Sequence, residues 1–130
     1  MELLLVNPRH VVRKESIASV RFVGNDGEIE ILENHAPIFA RLAPGLLHIK
    51  SASGKVESFF ADDGFVLFQD NIAKIAGEKI EAKNEIDLDR VKASHKRAQN
   101  RLAGREAGID ISRALIALAR AKARQALFSS

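Results

Sequence analysis

The stretch Gly27-Glu28-Ile29-Glu30-Ile31-Leu32-Glu33-Asn34-His35-Ala36-Pro37-Ile38-Phe39-Ala40-Arg41-Leu42-Ala43-Pro44-Gly45 decides how this chain is read. Ile29 and Ile31 alternate with Glu28 and Glu30, the pattern of a strand with one buried face. The Asn25-Asp26-Gly27 triplet before it is a hairpin turn, since Asp-Gly tolerates the positive φ of tight turns. His35-Ala36-Pro37 breaks the strand, because proline lacks an amide donor and pushes the residue before it out of the helical region. Pro44-Gly45 makes a further turn, and Leu46-Leu47-His48-Ile49 opens the next strand.

Outward from this stretch the same alternation continues. Ile17 to Val23, Val56 to Phe60, Phe65 to Phe68 and Ile72 to Ile75 read as short strands. Turn residues separate them at Ser53-Gly54, Asp62-Asp63-Gly64 and Asp70-Asn71. Met1 to Pro8 is short, acidic and stopped by proline, so it reads as a first strand rather than a signal peptide. Many short strands at this spacing predict a β-sandwich.

Near residues 82 to 86 the architecture changes. Beyond Ala82 the chain has no proline, alanine is abundant, and the period becomes helical. The charge divides at the same place. Residues 1–82 carry nine basic and twelve acidic side chains, whereas residues 83–130 carry eleven basic and five acidic ones. Asp87 and Asp110 are N-cap residues for two helices, and Ile86 and Val91 hold the positions of a hydrophobic staple around the first cap. Leu88, Val91, His95, Ala98 and Leu102 form one apolar seam. The stretch Ala103 to Gly108, with two glycines, predicts a break. From Ile111 to Leu127 the second helix is apolar around much of its circumference, so it needs a surface to bury against. The expected fold is therefore mixed β then α: a β-sandwich domain over residues 1–83, followed by a two-helix hairpin over residues 84–130.

Composition removes several functions. No run of about 18 apolar residues exists to span a membrane. With no cysteine there is no disulfide or thiolate metal site, and His10, His35, His48 and His95 lack metal-ligand spacing. Gly24-Asn25-Asp26-Gly27 lacks the Gly-Lys-Ser/Thr of a phosphate loop, and no Gly-x-Ser-x-Gly elbow is present. The Asp62-Asp63 pair reads as an exposed turn rather than an acid–base pair. An active site is not expected.

The Gly27–Gly45 stretch resembles the Gly-Glu-x-x-Ile/Val-x-x-x-His-Ala-Pro...Pro-Gly segment of the epsilon subunit of bacterial F-type ATP synthases. Glu30 and Asn34 stand where that family often has glycine, and asparagine is a common substitute at positive φ. Asp62-Asp63-Gly64-Phe65 resembles the family's Ser-Gly-Gly-Phe turn, with Asp63 replacing a glycine. Ile86-Asp87-Leu88-Asp89-Arg90-Val91 resembles the Ile/Leu-Asp-x-x-Arg-Ala motif by which some bacterial epsilon subunits bind ATP, with Val91 for the final alanine.

The resemblance covers the whole chain and implies a non-catalytic central-stalk subunit. It implies a sandwich bound to the gamma subunit and the c-ring, coupling rotor to catalytic head. It also implies a hairpin that reaches the catalytic alpha and beta subunits and inhibits hydrolysis. The place implied is peripheral, on the cytoplasmic side of the bacterial inner membrane, in a complex that carries out proton transport and ATP synthesis. No cofactor is required, but ATP is implied as a regulatory ligand at Glu81, Ile86, Asp87, Arg90, Arg97, Arg120 and Arg124. Physically, Arg90 and Arg97 share one helix face and Arg120 and Arg124 another, and two such faces suit a triphosphate. The bland alternative is that these arginines are solvated charge and Asp87 only a cap.

A second class of function also fits the basic tail: a small nucleic-acid-binding protein. Against it, the cations are interleaved with packing positions, no aromatic precedes Phe128 in the helices, and the chain has no tyrosine or tryptophan for base stacking. Nucleic acid is not expected among the partners.

Overall fold

Seven strands and two helices follow from this patterning in the computed structural model, which describes residues 1–8, 10–104 and 110–129. The strands are β1 (Glu2–Asn7), β2 (His10–Gly24), β3 (Gly27–Leu32), β4 (Ile38–Leu42), β5 (Gly45–Ser51), β6 (Val56–Gln69) and β7 (Ile72–Glu81). Helices α1 (Leu88–Gly104) and α2 (Ile111–Ser129) follow a single 3-10 turn at Lys83–Glu85. The fold is the β-sandwich with a C-terminal pair of helices that the sequence predicts.

The strand order is β1-β7-β6-β4-β2-β3, with β5 pairing both β2 and β6, and β1 also pairing β2. Only β1 and β7 run parallel. Inward-facing Leu3, Val20, Phe22, Ile31, Leu47, Val66 and Ile75 are fully buried between the layers. Every member of this core lies within residues 1–82, so the sandwich closes its core without the helices.

The expected turns form at Asn25-Asp26, with Gly27 at φ 125°, and at Asp70-Asn71, where both residues have positive φ. Asn34 also sits at φ 62°, which fits its place where a glycine is common. The Asp62-Asp63-Gly64 turn is a correction. Val56–Phe60 and Phe65–Phe68 are not separate strands but parts of one strand, β6, that runs unbroken through it. Asp63 takes φ 59° and kinks β6 where its partner changes from β5 to β4. Gly64 lies against β7 so closely that a Cβ there would stand 1.8 Å from the Ala76 carbonyl oxygen. Local sequence at this site reads as a turn, but β5 and then β4 on one edge and β7 on the other keep it within the strand.

His48 on β5 places Nδ1 2.7 Å from Ser58 Oγ on β6. Burial, and then the charge of Arg21, push its imidazole below the usual value, with Glu28 acting in the opposite direction. The unfolded chain therefore takes up this proton first. The contribution of His48 to stability is complete above an unfolded pKa of about 6.5 and is lost as pH falls below it. A His48→Gln variant is expected to show a shallower fall in Tm from about pH 7 to about pH 5 than the unsubstituted chain. Parallel Tm profiles in a thermal melt series would refute this.

Candidate functional site

The joint between sandwich and helices is built by two carboxylates that bond backbone amides. Glu85 Oε1 accepts the Ala82 N–H at 3.1 Å and tightens the 3-10 turn. Asp87 Oδ1 accepts the Asp89 and Arg90 N–H groups at 3.1 and 3.2 Å, so it is the N-cap of α1 as its sequence position predicts. Asp110 caps α2 in the same way through the Arg113 N–H at 3.0 Å. Val91 and Ala98 are buried along the α1 seam, and His95 is half-buried within it with Nε2 lacking a partner among the described residues. The predicted break between the helices falls later than Ala103: Gly104 still belongs to α1. The rest of that stretch, through Gly108, lies outside the described residues.

Helix α2 lies between α1 and the sandwich, touching β5 and β6. Its small residues Ala114 and Ala121 are buried, as is Leu127 near its end. Ile111, Leu115 and Ile116 remain exposed, so the all-round apolar character of this helix is only partly covered. Along β6, Phe59 and Ala61 point into the sandwich core, so strand alternation turns Phe60 and Asp62 to the opposite face, toward α2. Phe60 and Asp62 are nonetheless buried, at 0% and 4% exposure.

An open cleft of about 480 Å³ lies where α1, α2 and the end of β7 meet. Six of the seven residues singled out in the sequence line it: Glu81, Ile86, Asp87, Arg90, Arg120 and Arg124. Arg97 does not line it. It sits two turns further along α1, exposed, with its guanidinium on Ser94 Oγ at 3.0 Å. Val91, at the motif position that the family fills with alanine, forms part of the wall.

The arginines of α2 already hold carboxylates. Arg124 makes a two-pronged pair with Glu81, Nε to Oε1 at 2.8 Å and Nη2 to Oε2 at 3.2 Å, while its guanidinium stacks 4.3 Å from the Phe60 ring centroid. Arg120 Nε donates to Asp62 Oδ2 at 2.5 Å. Arg90 makes no side-chain hydrogen bond or ion pair among the described residues and is exposed. Three guanidinium groups thus face Glu81, Glu85 and Asp87 across the cleft, leaving its charge balanced rather than strongly positive.

Asp62 and Phe60 are not among the residues the sequence points to for this cleft, although residues two apart on a strand share one face. The sequence places Asp62 in an exposed turn, and its burial beneath Arg120 corrects that expectation. Among the described residues no group of histidines and carboxylates could hold a metal ion, and no helix is long and apolar enough to cross a membrane.

Two family models account for nearly all of the chain. The β-sandwich domain of the ATP synthase delta/epsilon chain matches residues 1–83, and its long α-helix domain matches residues 84–126. An ATP synthase epsilon chain of Desulfitobacterium hafniense (strain Y51) is 42% identical over 122 residues, spanning 94% of this chain and 91% of its own length. One from Nitratidesulfovibrio vulgaris (strain DP4) is 36% identical over 124 residues, spanning 95% and 92%. Among solved structures, a chain in the Euglena gracilis mitochondrial ATP synthase OSCP/F1/c-ring assembly superposes with a TM-score of 0.85 over 97% of this chain and 79% of its own. At 23% identity, that likeness is one of fold.

Proposed function

The chain belongs to the ATP synthase delta/epsilon family, as an epsilon-type subunit of the F-type central stalk, and from that premise we propose that its hairpin is a two-state inhibitor of ATP hydrolysis. The sandwich binds the gamma subunit and the c-ring and couples the rotor to the catalytic head. The hairpin, detached from the sandwich, reaches the catalytic alpha and beta subunits, where the net charge of +6 over residues 83–130 suits an acidic surface. The chain has no active site of its own, and it sits at the periphery of the cytoplasmic face of a bacterial inner membrane through the complex.

The observation that carries this reading is how α2 is docked. Two small residues, Leu127, the ring of Phe60 and two ion pairs hold it, while Ile111, Leu115 and Ile116 stay exposed. Such a contact can be exchanged for another, because few large side chains must leave an apolar pocket. The core of residues 1–82 is complete without the helices, so a chain ending at residue 83 keeps its sandwich. Reconstituted with the other subunits, that short chain is expected to leave the complex assembled and raise its hydrolysis rate several-fold. An unchanged rate would sink the inhibitory role.

ATP is the proposed ligand of the cleft, and it favours the docked hairpin because it binds only there. Arg90 offers the unengaged guanidinium to the phosphates, with Arg120 and Arg124 forming the opposite wall and Ile86 and Val91 an apolar flank. Isothermal titration calorimetry should show saturable binding that weakens about tenfold or more in Arg90→Ala, the loss of a charge-assisted bond. No heat at millimolar ATP would remove the nucleotide from this reading and leave the subunit assignment untouched. The nucleic-acid alternative gains nothing from the geometry, since Arg120 and Arg124 face the sandwich and are paired.

A further inference from the structure

The charge on α2 that the sequence suggests for a triphosphate is met in this chain by the sandwich itself. We propose that Asp62, seconded by Glu81, is a built-in counter-anion that latches α2 onto β6 and keeps the hairpin docked with no nucleotide bound. This rests on the two-state hairpin proposed above and names what sets its balance.

Three observations carry it. Asp62 is the only buried acidic side chain among the described residues, although it lies on the outer face of its strand. A carboxylate loses its hydration there only because α2 covers it, and such burial is tolerated when the charge is paired and hydrogen-bonded. Both conditions are met: Oδ2 accepts from Arg120 Nε at 2.5 Å, and Oδ1 accepts the Asp63 N–H at 2.8 Å. The second bond ties the latch to the kink, because Asp63 is the residue at φ 59°. The carboxylate is therefore held on the backbone before α2 arrives, and little side-chain freedom is lost on docking.

One turn along α2, Arg124 is clamped by Glu81 and by the Phe60 ring, so both guanidinium groups are neutralised by side chains that the sandwich supplies. A bound triphosphate would add to this arrangement through Arg90. It is not needed to cancel the charges of Arg120 and Arg124.

The absence of cysteine makes the test direct. Spin labels on Lys55→Cys, in the turn before β6, and on Lys122→Cys, on the exposed side of α2, report the distance between sandwich and hairpin in the full chain. Without nucleotide the parent pair should give one short distance. Arg120→Gln, which strips the partner from a buried carboxylate, should raise the open-to-docked ratio about tenfold or more. Asp62→Asn combined with Arg120→Gln should restore part of the docking, since no uncompensated charge is then buried. This rescue is the signature of a pair. Arg120→Gln leaves the sandwich sequence intact, so its reading does not depend on Asp62→Asn folding well.

A parent chain that is open until ATP is added would overturn the latch, as would an Arg120→Gln distance identical to the parent's. The wedge variant Ala121→Glu separates the two levels of the argument, since Ala121 is buried against its neighbours. If the wedge opens the hairpin and Arg120→Gln does not, the latch fails and the two-state hairpin stands. If neither opens it, the two-state hairpin fails and the latch falls with it.

Discussion

Gly64→Ala is expected to destabilise the sandwich by about 3 kcal/mol or more, lowering Tm by about 10 °C or more. The added methyl group would stand 1.8 Å from the Ala76 carbonyl oxygen and 2.7 Å from the Gly77 Cα, both backbone atoms of β7. No rotamer change relieves such a clash. The β6–β7 ladder must part between the Asp62–Lys79 and Phe65–Ala76 pairs, beside the kink that aims Asp62. The conformation of Gly64 is not at issue, as its φ is not positive; the closeness of the neighbouring strand is. Thermal denaturation of the purified variant measures this, and a Tm within a few degrees of the parent would contradict it.

Phe60→Ala is expected to cost about 3 to 5 kcal/mol, and the cost should fall on the docking of the helices rather than on the sandwich. Phe60 is fully buried yet stands outside the sandwich core, on the face of β6 that α2 covers. Its ring is also the platform for Arg124. Removing it leaves a cavity beneath α2 and takes away the ring on which the Arg124 guanidinium rests, leaving Glu81 as its partner. Hydrogen exchange should therefore quicken throughout α1 and α2 while β2, β5 and β7 keep their protection. Equal loss of protection in strands and helices would show that Phe60 belongs to one common core, against the division drawn here.

The two variants mark where local sequence stops being informative. At Ile29–Ile31 the alternation alone suffices, because the exposed Glu28 and Glu30 interleaved with the two isoleucines leave one face to bury. Asp87 and Asp110 are legible as caps for a similar reason: a carboxylate before a helical run satisfies free amides within its own turn. Asn34 is legible too, since its left-handed backbone is a local preference. At Asp62-Asp63-Gly64 the same logic misleads. Two acidic residues and a glycine look like a surface turn, and only pairing with β4, β5 and β7 keeps them in a strand.

The cleft divides in the same way. Glu81, Ile86, Asp87 and Arg90 fall within ten residues of one another, and their meeting is nearly guaranteed by the turn that Glu85 and Asp87 cap. Arg120 and Arg124 reach the cleft only because α2 folds back. Arg97 shows the limit of helical periodicity. Sharing a face with Arg90 still leaves it about 10 Å further along the axis.

The sequence by itself determined the two architectures, the place where they change, both helix caps and the residue types available to the cleft. These follow from period, turn chemistry and capping, all of which act over a few residues. The tertiary structure alone decided that β6 runs through an apparent turn, that Asp62 is buried, and that it and Glu81 hold the arginines of α2. The physical reason is distance along the chain. Asp62 and Arg120 are 58 residues apart, and a charge on one face of a strand acquires its partner only when a helix is laid across that face.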